Sequence, residues 1–317
     1  MSKKKEDLVQ RFLKYPKQLG KGAGHLAERW KVDRVDIYEA RDEARRRLRG
    51  SQNKVIKRLF FDIETAPNIG YFWRAGYKLN VHYSNIIQER AIMCISYKWA
   101  GEDKVHNIFW DGYYDDKNIL EKFIPVLKEA DEVVGHNSDK FDIKWVNTRA
   151  AKHGLNLPNK FRSFDTLKKV RAQFTLNSNT LKYCAEFFGL TGKIETGGFD
   201  LWTDILSDQT GKTKVHNEAK KKMIEYCNGD VATLEDLYNY VEKYTKPVTN
   251  HAILQGGEKY HCPACASVHT SLLRRSTPVS GIIKVHMECD VCNVNYDISN
   301  KTYMKYLDNK KKKNDKQ

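Results

Sequence analysis

Five side chains of this 317-residue sequence have the types and the spacing to do chemistry together. Asp62 and Glu64 lie in Leu59-Phe60-Phe61-Asp62-Ile63-Glu64-Thr65, where an apolar run passes into two carboxylates separated by an isoleucine. On a strand, alternate residues share a face, so both carboxylates point the same way. Asp142 heads a segment with helical patterning. Tyr226 and Asp230 are four residues apart, about one turn of a long helix. They fall on or beside its apolar stripe of Met223, Cys227, Leu234, Leu237, Tyr238 and Val241. A carboxylate on such a face is costly unless it is paired or bound to a cation. Taken singly, each acid has a bland reading: a solvated strand pair, a helix N-terminus that favours negative charge, an aspartate paired with a lysine. Together the four carboxylates would repel one another, and divalent cations relieve that repulsion. All-oxygen ligands suit Mg²⁺ or Mn²⁺. Two such ions about 4 Å apart can activate a water, stabilise a pentacoordinate phosphorus and neutralise a leaving 3′ oxygen.

A second set of residues points to a different metal. Of seven cysteines, Cys94, Cys184 and Cys227 sit singly in apolar patterns and read as buried free thiols. Cys262 with Cys265, and Cys289 with Cys292, form two Cys-x-x-Cys knuckles separated by 23 residues. Four thiolates so arranged suit one tetrahedral Zn²⁺ in a closed structural site, with strands expected at Ser271–Arg275 and Gly281–Met287. The segment is too short to bury much core, so the metal supplies much of its folding energy. His261, His269 and His286 read as bystanders. Arg274, Arg275 and Lys284 could meet nucleic acid, but zinc ribbons also dock proteins, a replication or repair partner among them, and both readings stay open.

The elements that must position the first set lie between residues 55 and 247. Strands are expected at the Asp62 segment, at Ala91–Trp99, at Lys104–Trp110 and at Glu132–Asn137, with helices after the third and fourth. The β-β-β-α-β-α order is that of a ribonuclease-H-like mixed sheet with flanking helices, an α/β fold. Asp139 is expected to cap the helix that Asp142 begins, and Asp165 to be structural. The aromatic stretch Gly70–Tyr83 could stack bases, though packing onto the core is the preferred reading. Ahead of this domain, residues 1–50 carry 15 Lys or Arg against 8 Asp or Glu. Short helices there form a helix-turn-helix-like basic module. Leu8, Phe12 and Tyr15 are expected on one helical stripe, and Val35, Tyr38 and Leu48 on the buried face of the last helix. Arg41, Arg45, Arg46, Arg47 and Arg49 line the helix expected to approach DNA. After it, residues 251–307 form the zinc ribbon and 308–317 a basic disordered tail.

The whole sequence holds 55 basic against 40 acidic residues, a net charge of +15, which favours a polyanionic partner and nucleic acid first. No run of about 18 apolar residues exists, so no membrane span is expected. The first residues lack the apolar segment of a signal peptide, and a cytoplasmic location is expected, that of the host if the source is viral.

Phe61-Asp62-Ile63-Glu64-Thr65, then Asn137-x-x-x-Phe141-Asp142, then Tyr226-x-x-x-Asp230 resemble the three exonuclease motifs of the DEDD superfamily. The aspartates are 80 and 88 residues apart. The Tyr-x-x-x-Asp form is similar to the DEDDy branch, which includes the proofreading domains of family-B DNA polymerases, and a stand-alone or partner-recruited nuclease is expected rather than one joined to a polymerase domain. The resemblance covers about residues 55–247. It implies 3′→5′ hydrolysis giving nucleoside 5′-monophosphates, on DNA more than RNA. It also implies roles: Asp62, Glu64 and Asp230 as the main ligands of two Mg²⁺ or Mn²⁺ ions, Asp142 holding the second partly through water, and Tyr226 orienting the attacking water. Asn137 and Phe141 would touch the terminal nucleotide. The combination with a helix-turn-helix is similar to small nucleases carried by bacteriophages. Two other functions remain open on the sequence: a DNA-binding regulator whose nuclease-like core is a scaffold, and a structure-specific endonuclease.

Overall fold

The computed structural model of the chain describes residues 3–48, 56–74, 76, 79–157, 161–190 and 198–314, and among these no helix is long and apolar enough to cross a membrane. The chain divides into two compact units, Lys57–Thr245 and a second that joins Met1–Ile56 to Lys246–Gln317.

The second unit opens with three helices, α1 (Lys3–Lys14), α2 (Ala23–Trp30) and α3 (Arg34–Leu48). Lys31, in the left-handed region at φ 54°, ends α2 by donating its N–H to the Ala27 and Glu28 carbonyls, and a short turn leads into α3. Helix α1 buries Leu8, Val9 and Phe12, and α3 buries Ile37, Ala40 and Ala44. Leu8 and Phe12 share a face as expected, but Tyr15 follows the end of α1 and is exposed, and the buried face of α3 differs, because Val35 and Tyr38 are exposed. Ile37, Ala40 and Ala44 make an equally good helical stripe, but alanines add little hydrophobicity and are easily passed over in a sequence. Three arginines of the α3 row bond within the unit. Arg41 donates to the Lys21 carbonyl, Arg45 to the carbonyls of Leu19 and Val291, and Arg47 pairs with Glu6 and Glu43. These three hold the unit together. The side chain of Arg46 and residue Arg49 lie outside the described residues.

In the Lys57–Thr245 unit the elements are β1 (Arg58–Thr65), β2 (Ile69–Gly70), β3 (Ile86–Gln88), β4 (Ile92–Trp99), β5 (His106–Phe109), α4 (Lys117–Glu129), β6 (Glu132–Gly135), α5 (Asp142–Lys152), β7 (Arg162–Asp165), α6 (Thr166–Gln173), α7 (Leu181–Phe187), α8 (Asp200–Leu206) and α9 (Lys214–Val241). Five strands form one sheet in the order β5-β4-β1-β6-β7. Pairing is antiparallel from β5 to β1 and parallel from β1 to β7, so β1 sits at the centre of a mixed sheet. This is the ribonuclease-H-like arrangement expected, with a two-stranded ribbon, β2 with β3, added between β1 and β4. Leu59, Phe61 and Ile63 join the main apolar core. Phe60 packs edge-on against Tyr238 of α9, so the alternate face of β1, which carries Asp62 and Glu64, is the one α9 covers.

A buried ion pair braces this sheet. Asp116 has no solvent exposure and accepts hydrogen bonds from the Ile92 N–H at 2.9 Å, from Arg149 at 2.5 and 2.9 Å, and from His153 Nε2 at 2.6 Å. It thereby ties β4 and α5 to the start of α4. Asp115, Asp116 and His153 are close enough to hold a cation, but the Arg149 guanidinium already satisfies Asp116, and the group works as an ion pair. Burial opposes the charged form, yet the bonds from Arg149, Ile92 and His153 outweigh it and hold the Asp116 carboxyl below the usual carboxylate range. Asp116→Ala should cost about 3–5 kcal/mol at neutral pH, because it leaves the buried Arg149 charge uncompensated. The folded pKa is depressed, so the wild type's advantage is complete above the unfolded value near 3.9 and is lost as pH falls through the lower folded value. Urea melts of both proteins at pH 7 and pH 3 should therefore show a gap that narrows in acid.

The C-terminal part of the second unit holds α10 (His251–Leu254), β8 (Thr270–Ser276), β9 (Lys284–Cys289), β10 (Asn295–Ser299) and α11 (Asn300–Asn314). The three strands form an antiparallel sheet in the order β10-β9-β8. The sequence leads one to expect a disordered tail over residues 308–317. Those described continue α11, and 315–317 lie outside the described residues. The helix starts where Ser299 Oγ accepts the Thr302 N–H, and it buries Tyr303 and Tyr306 against Val285, Met287 and Tyr296. Those anchors carry the helix into its lysine run, where Lys310 lies over the Tyr306 ring. The knuckle residues Cys262, Cys289 and Val291 share one apolar cluster with Leu8, Phe12, Leu26 and Ile37. Segments 1–50 and 251–307, expected as separate modules, thus have a common core. Segments of this size bury a small share of their surface when alone, and joining them enlarges the core.

Candidate active site

Strand β1 and helix α9 bring three carboxylates together: oxygens of Asp62, Glu64 and Asp230 all lie within 4.8 Å of one another. Asp62 and Glu64 are half-buried and Asp230 is buried. The register of α9 is set by polar rungs to β4. Ser96, directly across from Asp62, donates to Asn228 at 2.7 Å, and Lys98 pairs with Glu235 at 2.5 Å. With those rungs in place Asp230 lies over β1. Sequence reasoning missed Ser96, Lys98, Asn228 and Glu235. The available signal was the alternation of polar residues in a strand that is otherwise apolar.

Tyr226 stands one turn before Asp230 and hydrogen-bonds to it. Burial, then the charges of Asp230 and Glu64, push its hydroxyl well above the ordinary tyrosine value. The phenol therefore stays protonated at neutral pH and can orient a water but not take its proton. Cys227, fully buried beside it, has its sulfur 3.8 Å from Asp62 Oδ2.

Asp142 is not within the close group of three. It is 2% exposed at the start of α5, and its Oδ1 accepts the Ile63 N–H at 3.1 Å, which places it directly behind β1. Burial pushes its carboxyl up to about 7 against the pull of that N–H. The turn before α5 explains the placement. β6 ends on Gly135, where a Cβ would fall 2.4 Å from that of Ser138, so only glycine fits. Asn137 follows at φ 67°, a left-handed conformation that asparagine tolerates. Asp165 caps α6 and also accepts the N–H groups of Asn137 and Asp139, the structural role expected of it. Asp139 does not cap α5: its carboxylate binds Lys168 at 2.6 Å and Ser163. Phe141, expected at the substrate, packs partly buried on the core beside Trp145.

In the other unit the four sulfurs of Cys262, Cys265, Cys289 and Cys292 converge within 4.8 Å, with Cys262 to Cys292 at 3.5 Å and Cys265 to Cys289 at 3.6 Å. Four sulfurs about 2.3 Å from one tetrahedral zinc would be about 3.8 Å apart, so the donor set fits that ion. The Ala264 and Val291 N–H groups point at Cys262 and Cys289, each at 3.4 Å, as suits thiolates. Ala266 and Asn293, directly after each knuckle, have left-handed φ of 56° and 59° and turn the chain back.

Residues 59–242 match the RNase_H superfamily, more than half of the chain, and the chain belongs to that superfamily. The family B DNA polymerase from the hyperthermophilic archaeon Pyrobaculum calidifontis is a similar solved structure, with 18% sequence identity, a TM-score of 0.45, and coverage of 60% of this chain and 25% of that one. The chain thus spans about a quarter of that polymerase's length. No curated protein matches.

Proposed function

We propose that this chain is a metal-dependent 3′→5′ exonuclease that hydrolyses DNA and releases nucleoside 5′-monophosphates. The observation that carries the proposal is the convergence of Asp62, Glu64 and Asp230 to within 4.8 Å. Two Mg²⁺ or Mn²⁺ ions held there would supply an activated water and neutralise charge on the phosphate and the leaving 3′ oxygen. Asp62, Glu64 and Asp230 would hold the ions, and Asp142, fixed by the Ile63 N–H, would support the second one. Tyr226 keeps its proton and fixes the position of the attacking water. The 3′→5′ direction rests on the likeness of Tyr226-x-x-x-Asp230 to the DEDDy motif. The basic helical module and the zinc ribbon then supply phosphate attraction to the strand, and Asn137 sits at the turn where the terminal nucleotide would pass.

The test uses purified protein with Mg²⁺ or Mn²⁺ on 3′- and 5′-labelled single strands, duplexes and RNA. Stepwise mononucleotide release from the 3′ end is expected. Internal cutting, or equal activity after Asp230→Ala, would overturn the proposal. Tyr226→Phe should lower kcat about 10- to 100-fold, the value of one hydrogen bond among charged groups, with KM little changed. Because the phenol does not titrate near neutrality, the pH profile of the variant should keep the wild-type shape.

A further inference from the structure

The sequence favours a loop packed on the core after β1, but its described aromatics are not packed there, and Tyr77 lies outside the described residues. Tyr71 is 74% exposed, Phe72 59%, Trp73 104% and Tyr83 76%, and Ile87 of β3 joins them at 57%. So many large apolar side chains on one short ribbon mark an interaction surface rather than scattered exposure.

The ribbon is held firmly at its base. Gly70 lies so close to the Asn85 carbonyl that a Cβ would fall 2.6 Å from that oxygen, and the Tyr71 N–H donates to it at 2.9 Å. The Arg90 N–H donates to Asn68 and the Tyr114 hydroxyl to the Pro67 carbonyl, each at 2.7 Å. That base is the direct continuation of the carboxylate strand: β1 ends at Thr65, one residue after Glu64, and β2 begins at Ile69. The base of the ribbon is therefore fixed to the end of the strand that carries Asp62 and Glu64.

Charge identifies the occupant. From Ala66 to Gln88 the sequence contains no Asp or Glu, while Arg74 and His82 are exposed among the aromatics. Following directly on the strand that carries two of the three carboxylates, an acid-free aromatic surface with cations suits a polyanion with planar faces. The geometry points to the β2–β3 ribbon as a stacking platform for the unpaired bases of a single-stranded nucleic acid whose end enters the carboxylate site. Bases stack on exposed rings in any sequence, and duplex bases are already stacked on one another. The assignment rests on the nuclease reading for the identity of the ligand.

The test measures binding without turnover. A fluorescein-labelled oligothymidylate of about 16 nucleotides is titrated with full-length protein in chelator, followed by anisotropy, at about 50 and about 200 mM salt. Tyr71→Ala with Trp73→Ala should weaken Kd about tenfold or more. The fold-loss should be the same at both salt concentrations, since stacking releases no counterions, and Trp73→Phe should restore most of it. Both side chains are exposed, so the melting temperature should not move. Binding to a blunt duplex should be unchanged, and so should hydrolysis of the p-nitrophenyl ester of thymidine 5′-monophosphate, which has no strand to grip. An unchanged single-strand Kd overturns the assignment and leaves the surface to a protein partner, and an equal loss on duplex overturns it as well. Loss of binding in the variant, from a wild type that hydrolyses nothing, would leave the platform standing and remove the nuclease reading instead.

Discussion

Asp62→Ala is expected to lower DNA hydrolysis by roughly 10³-fold or more while leaving the fold intact. Charge neutralisation at a reacting phosphate by bound metal is worth several kcal/mol, and each 1.36 kcal/mol is about tenfold in rate. Asp62 shares a strand with Glu64 and has a carboxylate oxygen within 4.8 Å of those of both Glu64 and Asp230, so it would be a principal ligand of the ions. It is half-buried on the polar face of β1, so truncation opens no cavity in the apolar core, which Phe61 and Ile63 fill from the other face. Without metal the three carboxylates repel, and losing one should leave the melting temperature in chelator unchanged or raise it. Adding Mg²⁺ should raise the melting temperature of the wild type by linkage and do so far less in the variant. Residual activity within tenfold of wild type, or a variant that melts many degrees lower in chelator, would show that Asp62 is a structural residue.

The legibility of this site varied with how local its cause is. Asp62 and Glu64 were readable as a pair because strand alternation alone puts them on one face. Tyr226 and Asp230 were readable because one helical turn stacks them. What brings the two pairs together was not readable, because Ser96 with Asn228 and Lys98 with Glu235 are separated by 132 and 137 residues. Such rungs are visible only once β4 and α9 are packed. The same limit explains Asp139, which looks like a helix cap in sequence but is drawn to Lys168 across the β7–α6 turn. It explains the arginines of α3 as well, whose partners Leu19 and Val291 lie on other segments. The central sheet was legible because β-β-β-α-β-α order and apolar strands leave few ways to pair. The exposed ribbon was not, since aromatic residues usually signal burial and nothing local distinguishes a packed loop from a presented one.

Loss of the cysteine-held metal should have the second large effect, and a wider one than a zinc ribbon alone would suggest. Cys289→Ser is expected to lose stoichiometric zinc and to unfold the joined Met1–Ile56 and Lys246–Gln317 unit, α1 to α3 included. Structural zinc contributes about 10–16 kcal/mol of apparent binding energy, as much as the whole stability of a typical domain. Cys262 and Cys289 are themselves buried members of the cluster that contains Phe12, Leu26 and Ile37, so opening the knuckles removes one wall of the core on which the three helices close. Without a cation the sulfurs cannot all be thiolates at 3.5 to 3.6 Å, and hydrogen bonds from Cys262, then Cys265, are what hold the Cys289 and Cys292 thiols low. Metal analysis should give one zinc per wild-type chain and none for the variant. Limited proteolysis read by mass spectrometry should then cut within residues 3–48 and 246–314 while sparing 57–245, and helical circular dichroism should fall by the share of α1 to α3 and α11. Because the carboxylates lie in the unit that is spared, hydrolysis of the p-nitrophenyl ester should persist in Mg²⁺. A zinc-free variant whose N-terminal helices stay protected would mean that the apolar cluster closes without the metal.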